Sequence, residues 1–153
     1  VWFNSSLSPI PFRCVAPNSP FACRTQVCDF NLSKILEDTA RSSSAGGMLN
    51  PRWLAPEVLM GRPATAESDV FSFGTVLWEL LTWRLPWEGA NLYQLVFMVS
   101  RGERLPIPPP GELPGAEALG PADFEAYVSI IRRCWAQEPS ERPSFADIIA
   151  ELR

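Results

Sequence analysis

The sequence predicts a mostly α-helical fold assembled round one central buried helix, with a short β element around residues 25–32 and an irregular N-terminal lead. Three observations carry that prediction. The stretch Ser68–Trp83 is apolar on every side of a helix. Three later segments set apolar residues at the i, i+3, i+4, i+7 spacing of a helix buried on one face. The composition also breaks near residue 28. Before the break stand two arginines (Arg13, Arg24), four prolines (Pro9, Pro11, Pro17, Pro20) and several serines but no acid, and all seventeen acidic residues follow from Asp29 onward.

Residues 1–24 repeat at neither the helical nor the strand period, so they are expected to be extended or disordered. Thr25–Cys28 reads as a short strand entering the turn Asp29-Phe30-Asn31, and residues 37–52, rich in Ser, Gly and Thr, as a mobile loop. Pro56–Met60 reads as a short helix, its proline at a first-turn position where the missing N–H does no harm. Ser68–Trp83 carries Val70, Phe71, Phe73, Val76, Leu77, Trp78, Leu80, Leu81 and Trp83, which point all round the axis, so this helix is expected to be buried on every side with Ser68 as its cap. Amphipathic helices follow at Asn91–Arg101 (Leu92, Leu95, Val96, Val99), Asp123–Trp135 (Phe124, Tyr127, Val128, Ile131) and Phe145–Leu152 (Phe145, Ile148, Ile149, Leu152). Ser144 and Asp147 form a capping box before the last of these. Leu105–Pro121 is too rich in Pro and Gly to be helical.

Composition excludes several classes of function. A chain of 153 residues at 46% apolar is long enough for one real core. Thirteen basic against seventeen acidic residues leave a net charge of −4, which argues against nucleic acid as a partner. No stretch approaches the ~18 apolar residues of a membrane span. Histidine is absent and Lys34 is the single lysine, so no mechanism can use a His base or ligand from this chain. Cys14, Cys23, Cys28 and Cys134 show no CxxC spacing, and a reduced, cytoplasmic protein is expected. The chain opens on Val1 without the apolar run of a signal peptide and reads as a processed product or a piece of something longer.

Six motifs stand in order: Val27-Cys28-Asp29-Phe30-Asn31, Arg52-Trp53-Leu54-Ala55-Pro56-Glu57, Ser68-Asp69-Val70-Phe71-Ser72-Phe73-Gly74, Pro86-Trp87-Glu88-Gly89, Arg133-Cys134-Trp135 and Pro139-Ser140-Glu141-Arg142-Pro143-Ser144-Phe145. Through them the chain resembles, over roughly residues 26–153, the C-terminal (large) lobe of a eukaryotic protein kinase of the tyrosine-kinase-like group, Raf-like or MAP-kinase-kinase-kinase-like. The resemblance implies an incomplete kinase fold. Residues 1–24 are then an unassigned or foreign lead, and 25–153 a partial kinase domain running from the activation segment to the last helix.

The resemblance also implies ATP and Mg²⁺ as cofactors of the complete enzyme and a protein as substrate, with the γ-phosphate passing to Ser or Thr. Asp29 resembles the aspartate that holds Mg²⁺ against the nucleotide's phosphates, as a hard cation requires. A turn aspartate capping local N–H groups is the other reading of that residue. Asn31 stands where the family has glycine, and Asn tolerates the left-handed backbone such a turn uses. Glu57 and Arg142 resemble the buried ion pair that ties the end of the activation segment to the lobe. Asp69 resembles the aspartate that braces the catalytic loop, though an acid at that place also suits a helix N-terminus. Ser33, Thr39, Ser42, Ser43 and Ser44 lie in the stretch resembling the activation loop, either as sites of phosphorylation that would order it or as plain solvated residues. Asn50 takes the place of a threonine that helps position substrate, and Pro51, Arg52 and Trp53 line the substrate surface beside it.

Two further features have structural readings. Arg104–Pro110 reads either as a polyproline ligand or as the ordinary link that follows a large helix in this family, the second being preferred. Trp53, Trp78, Trp83, Trp87 and Trp135 read as packing residues. What the family needs and the chain lacks is equally plain: no glycine-rich loop precedes Asp29, and Lys34 follows it. In the catalytic-loop position Ala16-Pro17-Asn18 has Arg13 where an aspartate belongs, and a cation cannot accept the substrate's proton. No catalytic-loop Asp is found. The chain is therefore expected to be an inactive part of a kinase, with a non-catalytic binding or scaffold module as the alternative. The composition break near residue 25 favours the first.

Overall fold

Each described α-helix begins where the chain offers a proline or a capping side chain. The computed structural model describes residues 50–114, 116 and 119–152. The chain divides into two units, Val1–Gly47 and Met48–Arg153, and the described residues belong to the second. The expected β element and lead, and residues 37–49 of the expected loop, lie outside the described residues. Helix α1 (Pro56–Leu59) and helix α4 (Pro121–Cys134) start on proline. Helix α3 (Leu92–Ser100) starts at Asn91, whose side chain accepts the Gln94 N–H at 3.0 Å while Gln94 accepts the Asn91 N–H at 3.0 Å. Helix α5 (Phe145–Glu151) has the expected box: Ser144 Oγ accepts the Asp147 N–H, and Asp147 Oδ2 accepts the Ser144 N–H at 3.0 Å.

Helix α2 (Ala66–Thr82) starts earlier than its apolar run. The cap is Thr65, not Ser68; Ser68 sits one turn in, and its Oγ accepts the Thr65 N–H at 2.7 Å. The helix is also not buried all round. Val70, Phe71, Gly74, Leu77, Trp78 and Leu81 form one buried face, whereas Leu80 and Trp83 are 54% and 66% exposed. The reason is geometric: α2 packs mainly against α4, which covers one side. Trp83, expected as a packing residue, instead ends α2 in left-handed backbone (φ 54°) with its ring in solvent.

Gly74 is where α2 and α4 meet most closely. A Cβ built there would lie 2.7 Å from Cys134 Cβ and 3.2 Å from the Trp135 ring. Above this contact the buried Trp135 indole donates to Thr75 Oγ1 at 3.1 Å, and Tyr127 Oη donates to the Leu77 carbonyl at 3.1 Å. Burial pushes the Tyr127 phenol up to about 12 and the Cys134 thiol up to about 11, which leaves both neutral at physiological pH. On α4 the expected face is observed, with Phe124, Val128 and Ile131 buried and Tyr127 half-buried.

The two shorter amphipathic helices bury less than their patterns promise. In α3, Leu95 and Val99 are buried but Leu92, at the first turn, is exposed. Gly102 at φ 89° then turns the chain out of α3. In α5 only Ile148 is buried, while Ile149 and Leu152 stay about half exposed, because a helix of seven residues reaches the core with a single turn. Among the described residues between α3 and α4, a 3₁₀ turn spans Pro110–Glu112, and the Trp78 indole pins the stretch by donating to the Pro106 carbonyl at 2.8 Å. No described helix is long and apolar enough to cross a membrane.

Candidate functional site

Arg142 lies in the stretch between α4 and α5 and is buried. A guanidinium carries five N–H donors and no acceptor, so burial is tolerable only where five bonds can be made. All five are made. Nη1 and Nη2 grip Glu57 Oε1 and Oε2 at 2.6 and 2.8 Å in a two-pronged pair. The same nitrogens donate to the carbonyls of Glu67 at 2.9 Å and Gln137 at 3.3 Å, and Nε donates to that of Ala136 at 3.0 Å. One side chain thus fastens α1, the first turn of α2 and the stretch that follows α4. Its guanidinium also lies over the Phe71 ring at 5.2 Å, as that of Arg104 does at 5.1 Å. Burial by itself raises the Glu57 carboxyl, but the bonds from Arg142 and from its own backbone N–H, with the positive charge of Arg142 and Arg62, hold it below the usual carboxylate value.

The turn Asn50–Trp53 stands before α1. Asn50 caps a 3₁₀ turn, Pro51–Trp53, and its Oδ1 accepts the Arg52 N–H at 3.4 Å. Arg52 turns its guanidinium inward and donates to the carbonyls of Pro86 and Trp87 at 2.8 and 2.6 Å, so it is committed to the lobe. The half-buried Trp53 donates its indole N–H to Glu79 Oε2 on α2 at 3.1 Å. Burial pushes the Glu79 carboxyl above its usual value, with the Trp53 bond pulling the other way.

Asp69 sits exposed in the first turn of α2, and its side chain makes no hydrogen bond among the described residues. Asp29, Ser33, Thr39, Ser42, Ser43 and Ser44 lie outside the described residues. Among those described, no cluster of His, Cys, Asp and Glu is arranged to hold a metal ion. An open cleft lined by Arg104, Leu105, Ile107, Arg132 and Trp135 shares no residue with the turn or the ion pair.

The structure therefore joins Glu57 to Arg142 and assembles Asn50, Pro51, Arg52 and Trp53 into one turn. Sequence reasoning missed Glu79, the carbonyls that receive Arg52, and the fastening of Arg104 to Gln137 Oε1 at 2.6 Å and the Trp135 carbonyl at 2.9 Å. For Glu79 a signal existed: it is the sole charged residue between Val70 and Trp83.

With this geometry in hand, comparison with known proteins is specific. The family model described as protein tyrosine and serine/threonine kinase matches residues 22–152. The chain is 44% identical over 130 residues to the serine/threonine-protein kinase CTR1 of Arabidopsis thaliana, covering 84% of this chain and 14% of the relative. It is 39% identical over 130 residues to the serine/threonine/tyrosine-protein kinase HT1 of the same plant, covering 84% and 30%. It is 38% identical over 141 residues to the tyrosine-protein kinase Srms of Mus musculus, covering 92% and 26%. The chain thus spans less than a third of the length of each of these relatives.

Proposed function

This chain belongs to the protein tyrosine and serine/threonine kinase family, in its tyrosine-kinase-like, Raf-like group, and from that premise we propose that it is the large-lobe part of an ATP-dependent kinase acting on protein serine or threonine. The observation that carries the reading is the family match over residues 22–152, which takes in Asp29, the turn 50–53 and the Glu57–Arg142 pair. Asp29 is the residue to hold Mg²⁺ on the nucleotide, and Mg–ATP when bound supplies the phosphoryl group. The other residues act by position. Arg142 and Glu57 fix the segment ahead of α2 to the lobe, and the turn Asn50–Trp53 offers backbone and edge surface to a protein substrate in the cytoplasm.

No aspartate occupies the catalytic-loop position before Asp29, so nothing in the 153 residues accepts the substrate hydroxyl's proton. The chain by itself is inactive. The test is transfer of labelled γ-phosphate from Mg–ATP to a protein substrate by the purified chain. No incorporation above background is expected, and turnover that disappears in Asp29→Ala overturns the assignment of inactivity.

A further inference from the structure

As a link between α3 and α4, the stretch Arg104–Pro110 needs only its inward side. Leu105 is buried, Ile107 packs against the core, and Arg104 is held by the Trp135 carbonyl and Gln137 Oε1. The outward side is proline. Leu105, Ile107, Pro108 and Pro109 each precede a proline, which drives them to extended backbone, and each proline ring fixes its own φ. The outcome is a turn of polyproline II, which Pro109 shows at φ −63° and ψ 155° before Pro110 opens the 3₁₀ turn. Such a helix repeats every three residues, so Pro106 and Pro109 stand on one edge, roughly 9 Å apart. Both are exposed. The Pro106 carbonyl is taken by Trp78, but those of Ile107 and Pro108 accept no hydrogen bond among the described residues.

We propose that the edge Pro106–Pro109 is a docking ligand for a protein domain of the WW type, whose aromatic-lined groove takes a short run of polyproline II. A segment already fixed in that conformation by the lobe loses little entropy on binding. Two observations choose this partner among aromatic-groove domains. A groove of the SH3 type takes two hydrophobic–proline pairs and a basic residue beside them, yet here Leu105 of the first pair is buried and Arg104 is committed to the lobe. The charges at the two ends of the edge are acidic, Glu103 and Glu112, and both are exposed, which suits a groove with a basic rim.

The experiment titrates the 153-residue chain into isotope-labelled WW domains, some with basic and some with acidic rims, and follows the indole signal of the groove tryptophan. Isolated SH3 domains are titrated alongside. A basic-rimmed WW domain binds. Pro106→Ala and Pro109→Ala each weaken that binding about tenfold, a loss of about 1.4 kcal/mol, with the circular dichroism of the parent, since neither ring is buried. The double variant Glu103→Lys, Glu112→Lys binds the basic-rimmed domain more weakly and the acidic-rimmed domains more tightly, and the difference shrinks with added salt. Absence of binding by every WW domain overturns the proposal, as does tighter binding by an SH3 domain. Affinity unchanged in either proline variant or in the double variant, or weakening that comes only with loss of the parent's circular dichroism, overturns it as well.

Discussion

Removing the Arg142 side chain withdraws five bonds from four residues at once and leaves Glu57 as an uncompensated buried carboxylate. Breaking a buried pair in this way costs about 3–5 kcal/mol, so Arg142→Ala should lower the denaturant or thermal midpoint severely. Arg142→Lys should also lose stability, because a point charge cannot reproduce the two-pronged grip; a midpoint unchanged in either variant contradicts the anchoring role. The same pair gives a pH signature. The folded Glu57 carboxyl is held below its model value of 4.5, so its contribution is complete above that value and is lost as pH falls through the lower folded value. An acid melt should therefore show part of the chain's stability disappearing below pH 4.5, and Glu57→Gln should flatten that part. The pair's residue types were legible in the motifs, but the three carbonyls that complete Arg142 were not, since backbone acceptors leave no trace in residue identity.

At the scale of elements, the decisive contact is α2 on α4. In an exposed helix, Gly→Ala gains about 1 kcal/mol from propensity. At Gly74 the new methyl would sit 2.7 Å from Cys134 Cβ, a rigid atom of a fully buried residue. Overpacking of this kind costs about 1–3 kcal/mol, which outweighs the propensity gain. Gly74→Ala should thus lower stability by up to about 2 kcal/mol net, seen as a lower urea midpoint at unchanged slope; a higher midpoint would show that the helices can separate freely. Helix existence was readable from periodicity, and the Ser144–Asp147 box from spacing. Depth of burial was not. Leu80, Trp83, Leu92, Ile149 and Leu152 carry the right residue type for a core, yet which side of a helix meets a neighbour depends on where that neighbour lies. Helix starts were similarly misplaced when a polar residue inside the first turn, Ser68, looked like a cap.

At the scale of the molecule, the described lobe shows large apolar side chains to solvent on α2, α3 and α5. Groups of such residues mark surfaces that other protein covers. The purified chain should therefore bind a hydrophobic-patch dye in its native state; a cooperative melt with no dye signal contradicts this. The kinase motifs were legible because they are dense in Trp, Pro, Arg and acid at fixed spacing. The bond of the Trp53 indole to Glu79 was hidden, because it joins residues twenty-six positions apart across two elements whose packing had first to be known.

The central claim, that residues 25–153 are the part of a kinase's large lobe running from the activation segment to the last helix, is tested most directly by supplying the rest. Residues 25–153 joined behind the upstream part of the kinase domain of the serine/threonine-protein kinase CTR1 should transfer labelled phosphate from ATP to a protein substrate, and Asp29→Ala should abolish that transfer. A chimera that melts cooperatively yet transfers none, or one whose transfer survives Asp29→Ala, would contradict the claim.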